Sequence, residues 1–228
     1  MPACRMRSPK VQITRRAQEA RPKQIALFVF DRMTPLDAVG PLEIIGRLPK
    51  ADVRIVGKRA GAVRAGHLGI VADHALDDVL TPDLLLVPGA ADMSSVVADD
   101  EILDWMRAVD AGTTWTTSVC TGALALGAAG LLKGRRATTH WSAIDRLAEY
   151  GAIPVHERVV TDGKVMTGAG VSAGIDMALT LLGAIAGEEH AQFVQLMTEY
   201  DPRPPYGAGS LASAPPAVRA RAEALFAR

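Results

Sequence analysis

Cysteine is nearly absent from the 228 residues: Cys4 and Cys120 are the only two. Two thiols cannot build a disulfide framework, so a reducing, cytoplasmic setting is expected. An excess of charge of one sign is also lacking, since 25 basic and 25 acidic side chains give a formal net charge of zero. That argues against a nucleic acid or an anionic membrane as partner of the whole chain. No Cys, His and carboxylate spacing matches a metal centre, so no metal is expected. Gly168-Ala169-Gly170 lacks the third glycine and the following acidic residue of a dinucleotide-binding turn.

The zero net charge hides an asymmetry. Residues 1–24 carry seven basic side chains against Glu19 alone, a net of +6, and the rest of the chain carries −6. This head has no continuous apolar run, which excludes a secretory signal or a membrane span. It reads as a disordered leader, with a nucleic-acid-binding or transit segment as the other possibility. Residues 25–210 show no linker, composition break or repeat, and at 49% hydrophobic content the chain can bury one well-formed core, expected over residues 25–228. A single domain is expected.

Within it, apolar runs of strand length alternate with helical periodicities. Ile25–Phe30 and Leu84–Val87 read as strands covered on both faces, Asp52–Val56 as a strand with one wet face, and His67–Val71 as a short strand. Ile102, Trp105, Met106 and Val109 share one helical face after Asp99-Asp100, and Gly112 ends that helix. Leu36–Ile45 leads into a helix expected to end before Pro49, with Pro41 suited to its first helical position, and another helix is expected over Trp141–Tyr150, closed by Gly151. Asp162-Gly163 turns a hairpin, helices start at Ser172 and Glu188, and a short terminal helix is expected from Val218 to Phe226. Strands alternating with helices predict an α/β fold with a mainly parallel sheet and helices on both faces. Reactive groups then gather at the carboxyl ends of the strands. Three such ends align: Phe30 leading to Asp37, Val87 to Gly89-Ala90, and Val119 to Cys120.

Cys120 lies where β-prone Thr116-Thr117-Ser118-Val119 changes abruptly into Thr121-Gly122-Ala123-Leu124-Ala125-Leu126-Gly127. A strand turning sharply into a helix exposes the turn side chain beside the free N–H groups of the helix start, which favour a thiolate. Cys120 is therefore the candidate nucleophile, although a lone cysteine can equally be inert core. Asp37 is the candidate proton carrier, with a capping or solvated turn residue as the plainer alternative. The N–H groups of Gly89 and Ala90, with that of Thr121, could form an oxyanion-type hole, or the pair could be an ordinary turn. Thr121 can orient water or substrate, or simply fit the helix start. His140 could approach from the next loop or be structural.

With Ser118-Val119-Cys120-Thr121-Gly122-Ala123-Leu124 and Arg136-Ala137-Thr138-Thr139-His140-Trp141, the sequence resembles the ThiJ/PfpI branch of the class I glutamine amidotransferase-like superfamily. It is similar, more narrowly, to the isonitrile hydratases of that branch. Leu36-Asp37, Gly40-Pro41, Ala173-Gly174-Ile175-Asp176 and Glu199-Tyr200-Asp201-Pro202 carry the likeness through to about residue 220. The resemblance implies a flavodoxin-like three-layer sandwich, a homodimer, and cofactor-free addition of water to R–N≡C. By position, it implies that Cys120 attacks the isonitrile carbon and that Asp37 protonates the adduct and then assists water. Thr121 would hold Asp37, water or substrate. One departure stands out: Gly89-Ala90 replaces a Gly-Gly pair, which bears on the pocket and on the substrate. A glutamine amidotransferase or peptidase wants a histidine after the cysteine or a late His-x-Glu, and neither is present, so a Cys–His hydrolase would have to recruit His140. A redox or ligand-sensing module is the remaining alternative. A regulator of this kind would carry a helix-turn-helix after the sensor, which a chain ending at Arg228 does not lead one to expect.

Overall fold

The structure, a computed structural model, describes residues 23–226. Cys4 and all but the last two residues of the basic head lie outside it; Lys23 and Gln24 already belong to the first strand. In chain order the strands are β1 (Lys23–Phe28), β2 (Ala51–Val56), β3 (Gly61–Ala65), β4 (Leu68–Ala72), β5 (Leu84–Val87), β6 (Trp115–Val119), β7 (Arg136–Ala137), β8 (Ile153–Pro154), β9 (Val159–Asp162) and β10 (Val165–Gly168). The helices are α1 (Pro35–Ile45), α2 (Ser94–Val97), α3 (Asp100–Asp110), α4 (Gly122–Ala128), α5 (Ala173–Ala186), α6 (Glu188–Met197) and α7 (Pro216–Phe226).

Six strands form the main sheet in the order β2-β1-β5-β6-β10-β9. All neighbours are parallel except the β9–β10 edge hairpin, which turns at Gly163 with φ 61°. The central strands are apolar runs because both faces are covered. On one side lie α1, α5 and α6, packed on one another; on the other lie α2, α3 and α4. This is the α/β sandwich expected of strands alternating with helices. Inside the sheet the Thr117 hydroxyl donates to the Leu85 carbonyl across β5–β6 at 2.9 Å, whereas the buried Ser118 hydroxyl has no partner among the described residues. Trp105 of α3 packs 5.7 Å from the Phe28 ring while its indole N–H donates to the Val79 carbonyl at 2.9 Å. Asp99 caps α3 by accepting from the Ile102 N–H.

Several elements differ from the sequence reading. Pro35, not Pro41, takes the start of α1; Pro41 sits inside the helix, where it supplies no N–H for the carbonyl of Asp37. It is tolerated because α1 meets α5 edge to edge, with Pro41 against Gly174 and Gly40 against Ile175. The Trp141–Tyr150 segment is two 3₁₀ pieces, Trp141–Ala143 and Asp145–Tyr150, ended by Gly151 at φ 72°. The strand near His67 begins at Leu68 and pairs with the unforeseen β3 in a separate hairpin.

Register brings four parallel strand ends side by side: Leu27 opposite Leu86, Val87 opposite Ser118, and Gly168 opposite Val119. Helix α4 lies directly on this edge. A Cβ on Gly122 would sit 2.2 Å from the Val87 carbonyl oxygen, closer than any side-chain carbon can approach. Gly122→Ala must therefore push α4 off β5, and a destabilisation of roughly 3 kcal/mol is expected by chemical denaturation. Unchanged stability would contradict this packing.

Candidate active site

The site starts from the backbone of Cys120, which has φ 57°. A left-handed non-glycine residue costs on the order of 1–2 kcal/mol and persists only where surrounding bonds hold it. Here the Cys120 N–H donates to both the Gly168 and Ala169 carbonyls, at 3.1 and 2.8 Å. Its own carbonyl accepts from the Thr139 hydroxyl at 2.7 Å and from the Ala123 N–H at 3.4 Å. The strand-to-helix turn thus leaves the sulfur at the carboxyl edge of the sheet, yet Cys120 is only 4% exposed.

Asp37 reaches the same place from the first turn of α1, fully buried. Its Oδ2 accepts from the Gly89 N–H at 3.0 Å, its Oδ1 is buried without a hydrogen-bond partner among the described residues, and the Cys120 thiol is the neighbouring side chain that bears on its protonation. The Ala90 N–H donates to the Thr121 hydroxyl oxygen at 2.9 Å, and that hydroxyl donates back to the Ala90 carbonyl at 2.6 Å. The Gly89 and Ala90 amides are therefore committed to Asp37 and Thr121, which corrects the expectation that they form an oxyanion-type hole. For the same reason the Thr121 hydroxyl is engaged by Ala90 rather than by Asp37. The amides that bear on the sulfur are those of Val171 and Thr121. Val171, at φ 21°, was not singled out from the sequence, because nothing in a β-branched residue announces a positive φ. The methyl group of Ala90 falls at the permissive position: a Cβ on Gly89 would lie 2.5 Å from both the amide and the hydroxyl of Thr121.

Burial governs the protonation of the pair. It raises the Asp37 carboxyl to about 7, against the lowering pull of the Gly89 N–H and the Cys120 thiol. It also pushes the Cys120 thiol up to about 12, with the Asp37 charge adding and the Val171 and Thr121 amides opposing. The helix start does favour the thiolate, as expected, but burial and the neighbouring carboxylate outweigh it. In the singly ionised pair the proton resides on sulfur and the charge on Asp37.

His140 does not approach as a base for Cys120. Its Nδ1 pairs with the Ser142 hydroxyl at 2.7 Å, and its ring lies 5.2 Å from Trp141 and 5.8 Å from Phe226 of α7. Burial lowers its pKa. It lines a cavity of about 500 Å³ beside the elbow, together with Thr139, Trp141, Ile144, Val171 and Leu211. Thr139 and Val171 belong both to this cavity and to the bonds around Cys120. No cluster of His, Cys, Asp and Glu among the described residues could hold a metal ion.

A buried carboxylate with a raised pKa has a sign for stability. The folded protein binds the Asp37 proton more tightly than the unfolded chain, so this group costs stability increasingly as pH rises from about 4 to about 7. Above that window the cost is on the order of 4 kcal/mol. Asp37→Asn is expected to gain stability over the wild type between pH 4 and 8, measured by urea denaturation. A wild-type advantage that grows with pH would contradict the assignment.

A sequence model of the DJ-1/PfpI family matches residues 23–184. The chain is 44% identical over 196 residues to an isonitrile hydratase of Pseudomonas putida, covering 86% of each protein. It is 33% identical over 168 residues to the HTH-type transcriptional regulator CdhR of Pseudomonas aeruginosa, covering 71% of this chain and 49% of the regulator. A solved ThiJ/PfpI family protein from Pseudomonas syringae superposes with a TM-score of 0.89 at 39% identity, over 99% of this chain and 93% of the other.

Proposed function

The chain belongs to the DJ-1/PfpI family, and from that premise we propose that it is a hydratase converting isonitriles, R–N≡C, into N-substituted formamides. The observation that carries this reading is a buried cysteine at a strand-to-helix elbow with a fully buried carboxylate, Asp37, anchored beside it by the Gly89 N–H. The terminal carbon of an isonitrile must receive both a nucleophile and a proton on the same atom. A thiol hydrogen-bonded to a carboxylate can deliver the two in sequence.

Asp37 takes the thiol proton as the Cys120 sulfur bonds to the isonitrile carbon, then returns the proton to that carbon, leaving the thioimidate R–N=CH–S–Cys120. Water gives a proton to Asp37 as its oxygen adds to the same carbon, and Asp37 passes that proton to the nitrogen, leaving R–NH–CH(OH)–S–Cys120. As the C–S bond breaks, the hydroxyl proton passes through Asp37 to the sulfur, and R–NH–CHO leaves. The net change is addition of one water, with no oxidation or reduction. The Val171 and Thr121 amides stabilise charge on the departing sulfur. Thr121 acts through its N–H, its hydroxyl holding the turn that carries the Gly89 amide to Asp37. The substituent R lies in the cavity between Trp141, Ile144 and Leu211, with His140 as part of the wall.

The likeness to the hydratase over most of both chains supports the substrate class. A peroxide sensor reads less well on this site, because oxidation wants an accessible thiolate and this sulfur is buried and protonated. A second copy of the chain is the partner we propose, covering apolar side chains such as Leu36, Val39 and Phe193 that stand exposed. No helix among the described residues is long and apolar enough to cross a membrane, and the cytoplasm is the proposed location.

Incubation with cyclohexyl isonitrile is expected to yield the formamide. Cys120→Ala should abolish turnover, and Asp37→Asn should lower kcat by about 10²–10⁴-fold. Turnover by Cys120→Ala at the wild-type rate would refute the nucleophile. Because Asp37 must be ionised to accept the thiol proton, kcat/KM should rise with pH through a midpoint near 7. A profile flat between pH 5 and 8.5 would show that Asp37 does not titrate in the reaction.

A further inference from the structure

We infer that Thr139 is a positioning residue for the nucleophile, acting through the peptide that joins Cys120 to Thr121. Its hydroxyl donates to the Cys120 carbonyl at 2.7 Å, and Thr139 is 2% exposed. That carbonyl and the Thr121 N–H belong to one planar peptide unit, so fixing the oxygen fixes the direction of the N–H. That N–H belongs to the residue that follows Cys120 and is one of the amides that favour negative charge on its sulfur. The line of influence therefore runs from the Thr139 hydroxyl, through one rigid plane, to a donor next to the reacting residue.

The plane needs such a hold. Cys120 adopts a left-handed conformation, and its carbonyl has one other donor, the Ala123 N–H at the longer distance of 3.4 Å. On its N-terminal side Cys120 is held by two carbonyls of the Gly168-Ala169 turn; Thr139 supplies the corresponding hold on the C-terminal side. Thr139 is itself placed by its neighbour, because the Thr138 N–H donates to the buried Thr167 hydroxyl of β10 at 2.9 Å. Without the Thr139 hydroxyl the peptide plane can rotate, the Thr121 N–H leaves the line to the sulfur, and negative charge on sulfur loses one of its two amide donors. Charge develops on sulfur when its proton moves to Asp37 and again when the C–S bond breaks, so both chemical steps slow. Substrate binding in the cavity is little affected by a valine, which keeps the shape of threonine.

The mechanistic part of this inference rests on the hydratase reading, and the test separates the two. Thr139→Val and Thr139→Ser are compared with wild type by alkylation of Cys120 with iodoacetamide, followed on the Cys120 peptide by mass spectrometry between pH 7 and 10. The valine variant should alkylate about tenfold more slowly at each pH, and the serine variant should restore the rate to within about threefold. With an isonitrile substrate, the valine variant should lose about 10- to 100-fold in kcat with KM changed less than about threefold, again rescued by serine. Where valine prevents folding, Thr139→Ala carries the same expectation. Wild-type alkylation in the folded valine or alanine variant, or failure of serine to restore it, overturns the assignment. Slowed and rescued alkylation in a protein whose wild type leaves isonitriles untouched keeps Thr139 in this role and removes only the substrate.

Discussion

The site depends on a shortage of water around one proton. Asp37 and Cys120 are both buried, and in that surrounding two negative charges at contact are prohibitive, so the pair keeps a proton between them. Most of what surrounds the pair can be understood as fixing where that proton sits and what opposes its movement. The Gly89 amide steadies the carboxylate, the Val171 and Thr121 amides favour the thiolate, and burial resists both ionisations. The same burial that destabilises the resting fold keeps the carboxyl near neutrality, where it can accept and return a proton.

The sheet makes this arrangement possible by its strand order. With β1, β5 and β6 adjacent, the helix that bears Asp37, the Gly89 amide and Cys120 issue from neighbouring strand ends, and short connections suffice to bring them together. Small residues set the distances. Gly122 lets α4 rest on the Val87 carbonyl, and Gly89 lets its turn rest on Thr121. The fourth strand end, at Gly168, closes the arrangement by receiving the Cys120 N–H.

Much of this was legible in the sequence, for identifiable reasons. The central strands are continuous apolar runs, and the change from Thr-Thr-Ser-Val to Ala, Leu and Gly marks the elbow by composition alone. Asp37 could be proposed only because it follows the first buried strand. Hydrogen-bond direction was not legible: the end of the second buried strand pointed to Gly89-Ala90, but a turn in a sequence does not say where its amides point. The 3₁₀ character of Trp141–Tyr150 was hidden because residues three apart align in both helix types. Val171 and Thr139 were missed because their contributions are a backbone amide and one hydroxyl directed at a carbonyl. Neither follows from residue type.

Pro41 gives α1 a mechanical property that its length does not suggest. Because the ring offers no N–H, the Asp37 carbonyl lacks its usual partner one turn ahead, while the far half of the helix is pinned against Gly174 and Ile175 of α5. The first turn is thus joined to a fixed rod by fewer rungs than an ordinary helix would provide. The Asp37 carboxylate is mounted where the helix ladder is least complete, so a small displacement of that turn breaks no bond at that rung of the helix.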